Sequence, residues 1–160
     1  MPILELTTRI RAPIERCFDL ARSIDLHRSS AVGTDELAIA GVTRGLIGFG
    51  EQVTWRARHF GITQDLTSRI TAFDRPHHFR DSMVAGAFRR FDHDHHFASD
   101  GEHTVMRDRF DFDAPFGPFG WLFARLVLVG YLRRFLRVRN ATLQQVAESA
   151  HWREFVPDRA

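Results

Sequence analysis

The 160-residue sequence contains no lysine, one cysteine and one tyrosine. All 22 basic residues are therefore arginines, whose guanidinium groups do not titrate in the accessible range, so a pI of 9.4 coexists with a net charge of only +2. Arginines and acidic residues are interleaved, no patch of one sign forms, and nucleic-acid binding is not expected. Cys17, alone, excludes an internal disulfide and accords with a reducing compartment. The opening Met1-Pro2-Ile3-Leu4-Glu5 lacks the charged start and apolar run of a signal peptide. The longest apolar stretch, Phe119 to Leu132, is interrupted by Arg125 and falls short of the roughly 20 apolar residues that span a bilayer. A cytoplasmic protein with no transmembrane segment is expected. Gly45, Gly48 and Gly50 do not follow a phosphate-binding pattern and lack the P-loop lysine, so a flexible loop at a pocket mouth suits them better.

Phenylalanine is abundant instead, fifteen against the one tyrosine, which points to a bulky aromatic interior or cavity lining. The length suits one domain, residues 1–150, followed by a patternless C-terminal tail over 151–160. Ile3 to Arg11 alternates as a first strand. Pro13 then opens a helix with Ile14, Cys17, Phe18 and Ala21 on its buried face, where Cys17 reads as a small core residue. A second short helix is expected over Ile24 to Arg28. From Asp35 the period changes to two, with breaks at Gly61, Arg75-Pro76, Gly86 and Asp100-Gly101, the last a strong hairpin signal. Connections this short leave no room for crossover helices, so the strands form antiparallel hairpins. A long helix follows over about Pro118 to Ala147. Its first half is apolar on nearly every side and needs cover; its second half sets Leu132, Leu136, Leu143 and Val146 against arginines.

Phe91 to Phe97 reads Phe-Asp-His-Asp-His-His-Phe. Side chains alternate along a strand, so Phe91, His93, His95 and Phe97 share one face and Asp92, Asp94 and His96 the other. The aromatic face is the better interior. Asp81 and Asp108, on the flanking strands, point the same way, which predicts one inward cluster of Asp81, His93, His95 and Asp108. The even-numbered set is expected on a solvated face opposite Arg107 and Arg109, making Asp94→Ala nearly silent and Asp108→Ala damaging.

The order of elements, strand, two short helices, antiparallel strands and a long C-terminal helix, resembles the α+β helix-grip fold of the START/Bet v 1-like superfamily. The chain is similar to its bacterial polyketide cyclase and lipid-transport branch. The stretches that carry the resemblance are Ile10-Arg11-Ala12-Pro13-Ile14-Glu15, Gly50-Glu51-Gln52-Val53-Thr54-Trp55, His59-Phe60-Gly61, Asp81-Ser82-Met83, the Phe91–Phe97 strand, and Pro115 with Gly117-Pro118. It spans residues 3–148. It implies a curved antiparallel sheet of six to seven strands wrapped around the C-terminal helix, with a cavity between them. The inward faces would then line that cavity: Trp55, Gln64, Leu66 and Phe79, then Asp81, Met83, Phe91, His93 and His95, and finally Met106, Asp108, Phe110 and Phe112.

Three functions fit these residues. One is binding of a hydrophobic small molecule, such as a lipid, polyketide-like aromatic or isoprenoid, in a mostly apolar cavity. A second is cyclase- or dehydratase-type chemistry in which His93 or His95 moves a proton and Asp81 or Asp108 orients it. A third is contact with a membrane surface, or with a second copy in a homodimer, through the C-terminal helix, whose Arg133, Arg134, Arg137 and Arg139 suit anionic lipid. The His/Asp cluster holds enough ligands for zinc or iron, but hydrogen bonding within it is the preferred reading; no metal or cofactor is expected.

Overall fold

Period-two alternation becomes seven strands, and the helical spacing between them becomes the elements that close one side. The computed structural model describes residues 2–31, 33–115 and 117–157. In order these are β1 (Ile3–Ile10), α1 (Ile14–Ala21), α2 (Ile24–Ser30), β2 (Leu37–Gly41), β3 (Gln52–His59), β4 (Ile62–Asp74), β5 (His78–Ala85), β6 (Arg90–Asp100) and β7 (His103–Asp113). Then come α3 (Gly117–Phe123), a π-helical turn (Ala124–Leu128), α4 (Val129–Ala147) and α5 (Trp152–Phe155). The strands form one antiparallel sheet in the order β1-β7-β6-β5-β4-β3-β2. Chain neighbours pair except for β1, which crosses to the far edge beside β7, so α1 and α2 bridge the two ends of the sheet. This is the helix-grip architecture.

Local chemistry accounts for the joints. Asp100 pairs with His103 around Gly101, which sits at φ +62, a conformation glycine adopts without strain. Gly41 ends β2 at φ +73, and a Cβ there would run into the Gln52 carbonyl, so the close approach of β2 to the start of β3 depends on glycine. Ser23 caps α2 by accepting the Leu26 N–H at 3.3 Å.

Two apolar clusters fill the space between sheet and helices. In the larger, Phe18 of α1 is fully buried and meets Phe73, Phe79 and Phe97 edge-on at 5.3–5.4 Å. Cys17 lies beside it, its thiol pushed by burial up to about 11, in keeping with a core residue. The smaller cluster joins Leu4, Phe91, Phe110 and Phe112 to Leu136 of α4. Beneath α1, buried Asp19 accepts from Arg22 at 2.7 Å and from Arg75 at 2.7 Å, tying the helix to the β4–β5 turn.

Four expectations need revision. The long helix is helical throughout but contains the π turn at 124–128. Its first half is not covered on all sides: Phe119, Trp121, Leu122, Phe123 and Leu126 are exposed, Phe119 by 84%. The patternless segment after Ala150 carries α5, and Val156 is buried against the main core, because Trp152 and Phe155 supply apolar side chains that α1 can cover. The fourth is Asp94. It is 3% exposed, accepts two bonds from Arg80 at 2.8 and 3.0 Å and meets His78 Nε2 at 2.7 Å. Register places Arg109 opposite Asp94 across β6–β7, as alternation requires, but β5 supplies the charges that close over it.

Asp94→Ala is therefore expected to be damaging, not silent. Loss of the shared acceptor should lower stability by about 1–3 kcal/mol. Asp108→Ala should cost more, about 3–5 kcal/mol, since it strands buried imidazoles. Urea unfolding of both variants checks this ranking; a silent Asp94→Ala would mean that the outer-face bonds contribute nothing.

Candidate functional site

Asp81 on β5, His93 and His95 on β6, and Asp108 on β7 meet on the inner face, as alternation predicts. Asp81 stands opposite His93, and His95 opposite Asp108. His95 Nδ1 lies 2.8 Å and His93 Nε2 3.1 Å from Asp108 Oδ1; His95 Nε2 lies 3.2 Å from Asp81 Oδ1. Asp108 Oδ2 accepts from Asn140 Nδ2 of α4 at 2.6 Å, and the same amide reaches Thr8 of β1 at 3.3 Å. Each buried charge thus has partners, as burial requires.

The two histidines differ. Burial opposes protonation of His95, but Asp108 and Asp81 outweigh it and raise its pKa. Burial and the neighbouring His95 lower that of His93. For Asp81, burial is outweighed by the His95 hydrogen bond and the imidazole charges, which hold it down at about 2. Asp108 is held well below the carboxylate range against burial by hydrogen bonds from His93 and His95. Near neutral pH the consistent assignment is a protonated His95 donating from both nitrogens and a neutral His93 donating Nε2–H to Asp108. Phe79 stacks on His95 at 4.3 Å and covers it from the core side.

A cavity of about 640 Å³ lies between the sheet and the C-terminal helix. Of the residues expected to line it, Trp55, Gln64, Leu66, Asp81, Phe91, His93 and Phe110 do so. Phe79, Met83, His95, Met106, Asp108 and Phe112 do not. They share the inward face but lie where it is already filled: Phe79 and Met106 sit in the cluster around Phe18, and Phe112 packs edge-on to Phe88 at 5.6 Å. Met83 packs against that second cluster. His95 and Asp108 form a layer behind His93.

Other lining residues were not anticipated. Ala57 and His59 continue the inward face of Trp55 along β3, a signal present in the alternation. Phe60, Phe88, Tyr131 and Phe135 come from turns and the helix. His59 Nδ1 meets the Tyr131 hydroxyl at 2.5 Å. His27 of α2, Glu36 ahead of β2 and Arg139 of α4 form a polar end, with His27 stacked on Trp55 at 4.2 Å. Trp55 is thus both core and cavity wall. Residues 42–51 do not line the cavity, contrary to the role expected for the glycine loop: Asp25 accepts the Gly45 N–H at 2.8 Å, Arg22 bonds the Ile47 carbonyl at 3.1 Å, and Ile47 is buried. Among the described residues two groups offer ligand atoms within 4.8 Å of one another, Asp81–His93–His95 and His78–Asp94–His96, and so have metal-ligand spacing. In both, nitrogens are already turned toward carboxylates.

A sheet gripping a long helix around an apolar cavity with a few polar groups at one end defines a small-molecule-binding class of domain. Over residues 1–148 the chain matches the polyketide cyclase/dehydrase and lipid transport family, and it belongs to that family. No match was found among curated proteins. Solved structures agree on the fold. TTHA0849 from Thermus thermophilus is similar at a TM-score of 0.71 and 18% identity, over 91% of this chain and 99% of that one. A START superfamily protein from Mycobacterium smegmatis reaches 0.68 at 10% identity, over 90% and 98%. The major latex-like protein 151 from Panax ginseng reaches 0.64 at 15%, over 92% and 98%. Among the described residues, no helix is long and apolar enough to cross a membrane.

The cluster should leave a mark on the pH dependence of stability. With its pKa raised by folding, His95 contributes stability that is fully present below about 6.5, the ordinary imidazole value, and lost as pH rises through the raised value. His93, lowered, acts oppositely and removes stability as pH falls below about 6.5. Thermal melts should therefore decline on the alkaline side of neutrality in the parent protein and decline less in His95→Gln. An undiminished alkaline decline in that variant would contradict the protonated His95.

Proposed function

We propose that the protein encloses a hydrophobic small molecule of lipid, polyketide-like or isoprenoid type between its sheet and C-terminal helix. The cavity carries this reading. Its 640 Å³ falls inside the roughly 300–1,000 Å³ of small-molecule sites, and aromatic and aliphatic side chains dominate its wall. Phe91, Phe110 and Leu66 on the sheet face Leu132, Phe135 and Leu136 on α4 across it. Buried apolar contact stabilises a ligand by about 25 cal/mol per Å² of area removed from water, so affinity would come from the walls and orientation from the polar end. The family's description, which includes lipid transport, agrees. Native mass spectrometry of freshly purified protein should show a co-purifying or exchangeable apolar ligand. Its persistent absence, with no uptake of added fatty acid or aromatic compound, would count against enclosure.

Acid–base chemistry of the cyclase or dehydratase type is favoured by a separate observation. His93 borders the cavity, is neutral near pH 7, and is backed by Asp108 at 3.1 Å. In this reading His93 exchanges the proton with a bound carbonyl compound, Asp81 faces the same space, and His95 with Asp108 holds the imidazole in place. Turnover of an aromatic polyketide substrate should then be lost in His93→Ala while folding is kept. Equal turnover by the His93/His95 double alanine variant would remove it.

A further inference from the structure

Glu36 sits immediately before β2 with its side chain only 7% exposed. Its Oε1 meets His27 Nε2 at 3.2 Å. Its Oε2 is buried with no hydrogen-bond partner, the one such side-chain atom among the described residues. The surroundings nevertheless keep the carboxyl ionised: burial opposes this, but the hydrogen bond from His27 and the charge of Arg139 outweigh it. A buried carboxylate with one oxygen unpaired is costly, so a second donor is required.

No group among the described residues supplies that donor. Burial and Arg139 hold His27 below its ordinary pKa, so it is neutral, and the proton it carries on Nε2 goes to Oε1. Arg139 influences Glu36 electrostatically but makes no ion pair with it; its described hydrogen bond runs to the Ala21 carbonyl at 3.4 Å. Glu36, His27 and Arg139 all border the cavity. Oε2 itself is covered, and the broad terminal torsion of a glutamate leaves the carboxylate free to turn toward the cavity that Glu36 borders.

We propose that Glu36 is the recognition point for a hydroxyl group on the enclosed ligand, accepting its O–H, so that the cavity prefers apolar molecules bearing a terminal hydroxyl over those ending in an ether or a hydrocarbon. This deepens, and rests on, the small-molecule-binding reading above. The positive charge of Arg139 beside Glu36 favours a neutral donor over an ammonium group. A site built to bond a hydroxyl discriminates by leaving its own polar atom unpaired when the hydroxyl is missing.

Nile red, which has no hydrogen-bond donor, reports occupancy of the cavity by its fluorescence. Its displacement by 2-naphthol and by 2-methoxynaphthalene then isolates the effect of the O–H. The parent protein should bind 2-naphthol about tenfold more tightly, the size expected of one hydrogen bond to a charged group. Glu36→Leu, with each displacement judged against that variant's own Nile red affinity, should lose that preference; should it fold poorly, Glu36→Gln should reduce the preference by removing the charge. Equal displacement by the two naphthalenes in the parent protein, or an undiminished preference in a folded Glu36 variant, overturns the assignment while leaving enclosure intact. Failure of the parent protein to bind Nile red or either naphthalene overturns enclosure, and this inference with it.

Discussion

Asp108 is a carboxylate 2% exposed midway along β7, and three side chains converge to satisfy it. His93 and His95 reach it from β6, and Asn140 reaches it from α4 while also touching Thr8 of β1. A buried charge tolerates no missing partner, so these bonds fix where α4 crosses the sheet and in which rotation. Once α4 is pinned at Asn140, Leu143 and Ala147 pack against the α1 side, while Leu132, Phe135 and Leu136 are held over the other half of the sheet. The cavity is the space left between that half and the helix. The polar layer thus acts as the divider between a filled core and an open one.

That division gives the cavity its chemical asymmetry. Apolar side chains, among them Phe91 of β6, Phe110 of β7 and Phe135 of the helix, dominate its wall, while His27, Glu36 and Arg139 gather at one end. His93 shows a neutral imidazole to the same space, with its proton fixed by Asp108 behind it. Such a wall holds an apolar body by area and orients it by few bonds, which suits a family whose name joins lipid transport with cyclase and dehydrase chemistry. The exposed Phe119, Trp121 and Leu126 lie on the α3 and π-helical segment beside the cavity. There the regular helix spacing is interrupted, and π turns of this kind recur at functional sites.

Much of this was legible in the chain. Alternation placed His93, His95, Asp81 and Asp108 on one face, because a strand has only two faces and the aromatic neighbours choose between them. Asp100-Gly101 placed the β6–β7 turn, and the resemblance to the helix-grip superfamily supplied the order of the rest. Alternation failed on Asp94. It put the residue on the outer face correctly, but an outer face is not a solvated one when Arg80 and His78 from the next strand fold over it. It also over-extended the cavity: Phe79, Met106 and Phe112 face inward yet are covered by α1 or by Phe88.

The sequence alone determined the period of each strand, the turns between them and the identity of the inward face, since these depend on residues a few positions apart. It also determined that the inward charges needed partners. Only the tertiary structure decided which inward residues meet empty space and which meet α1, because that depends on where a helix some thirty residues further on is anchored. The polar end is the clearest case. His27, Glu36 and Arg139 belong to a helix, a loop and another helix, and no local spacing relates them. They are neighbours because the sheet curves and α4 is tied down by Asp108, a long-range constraint that no window of sequence contains.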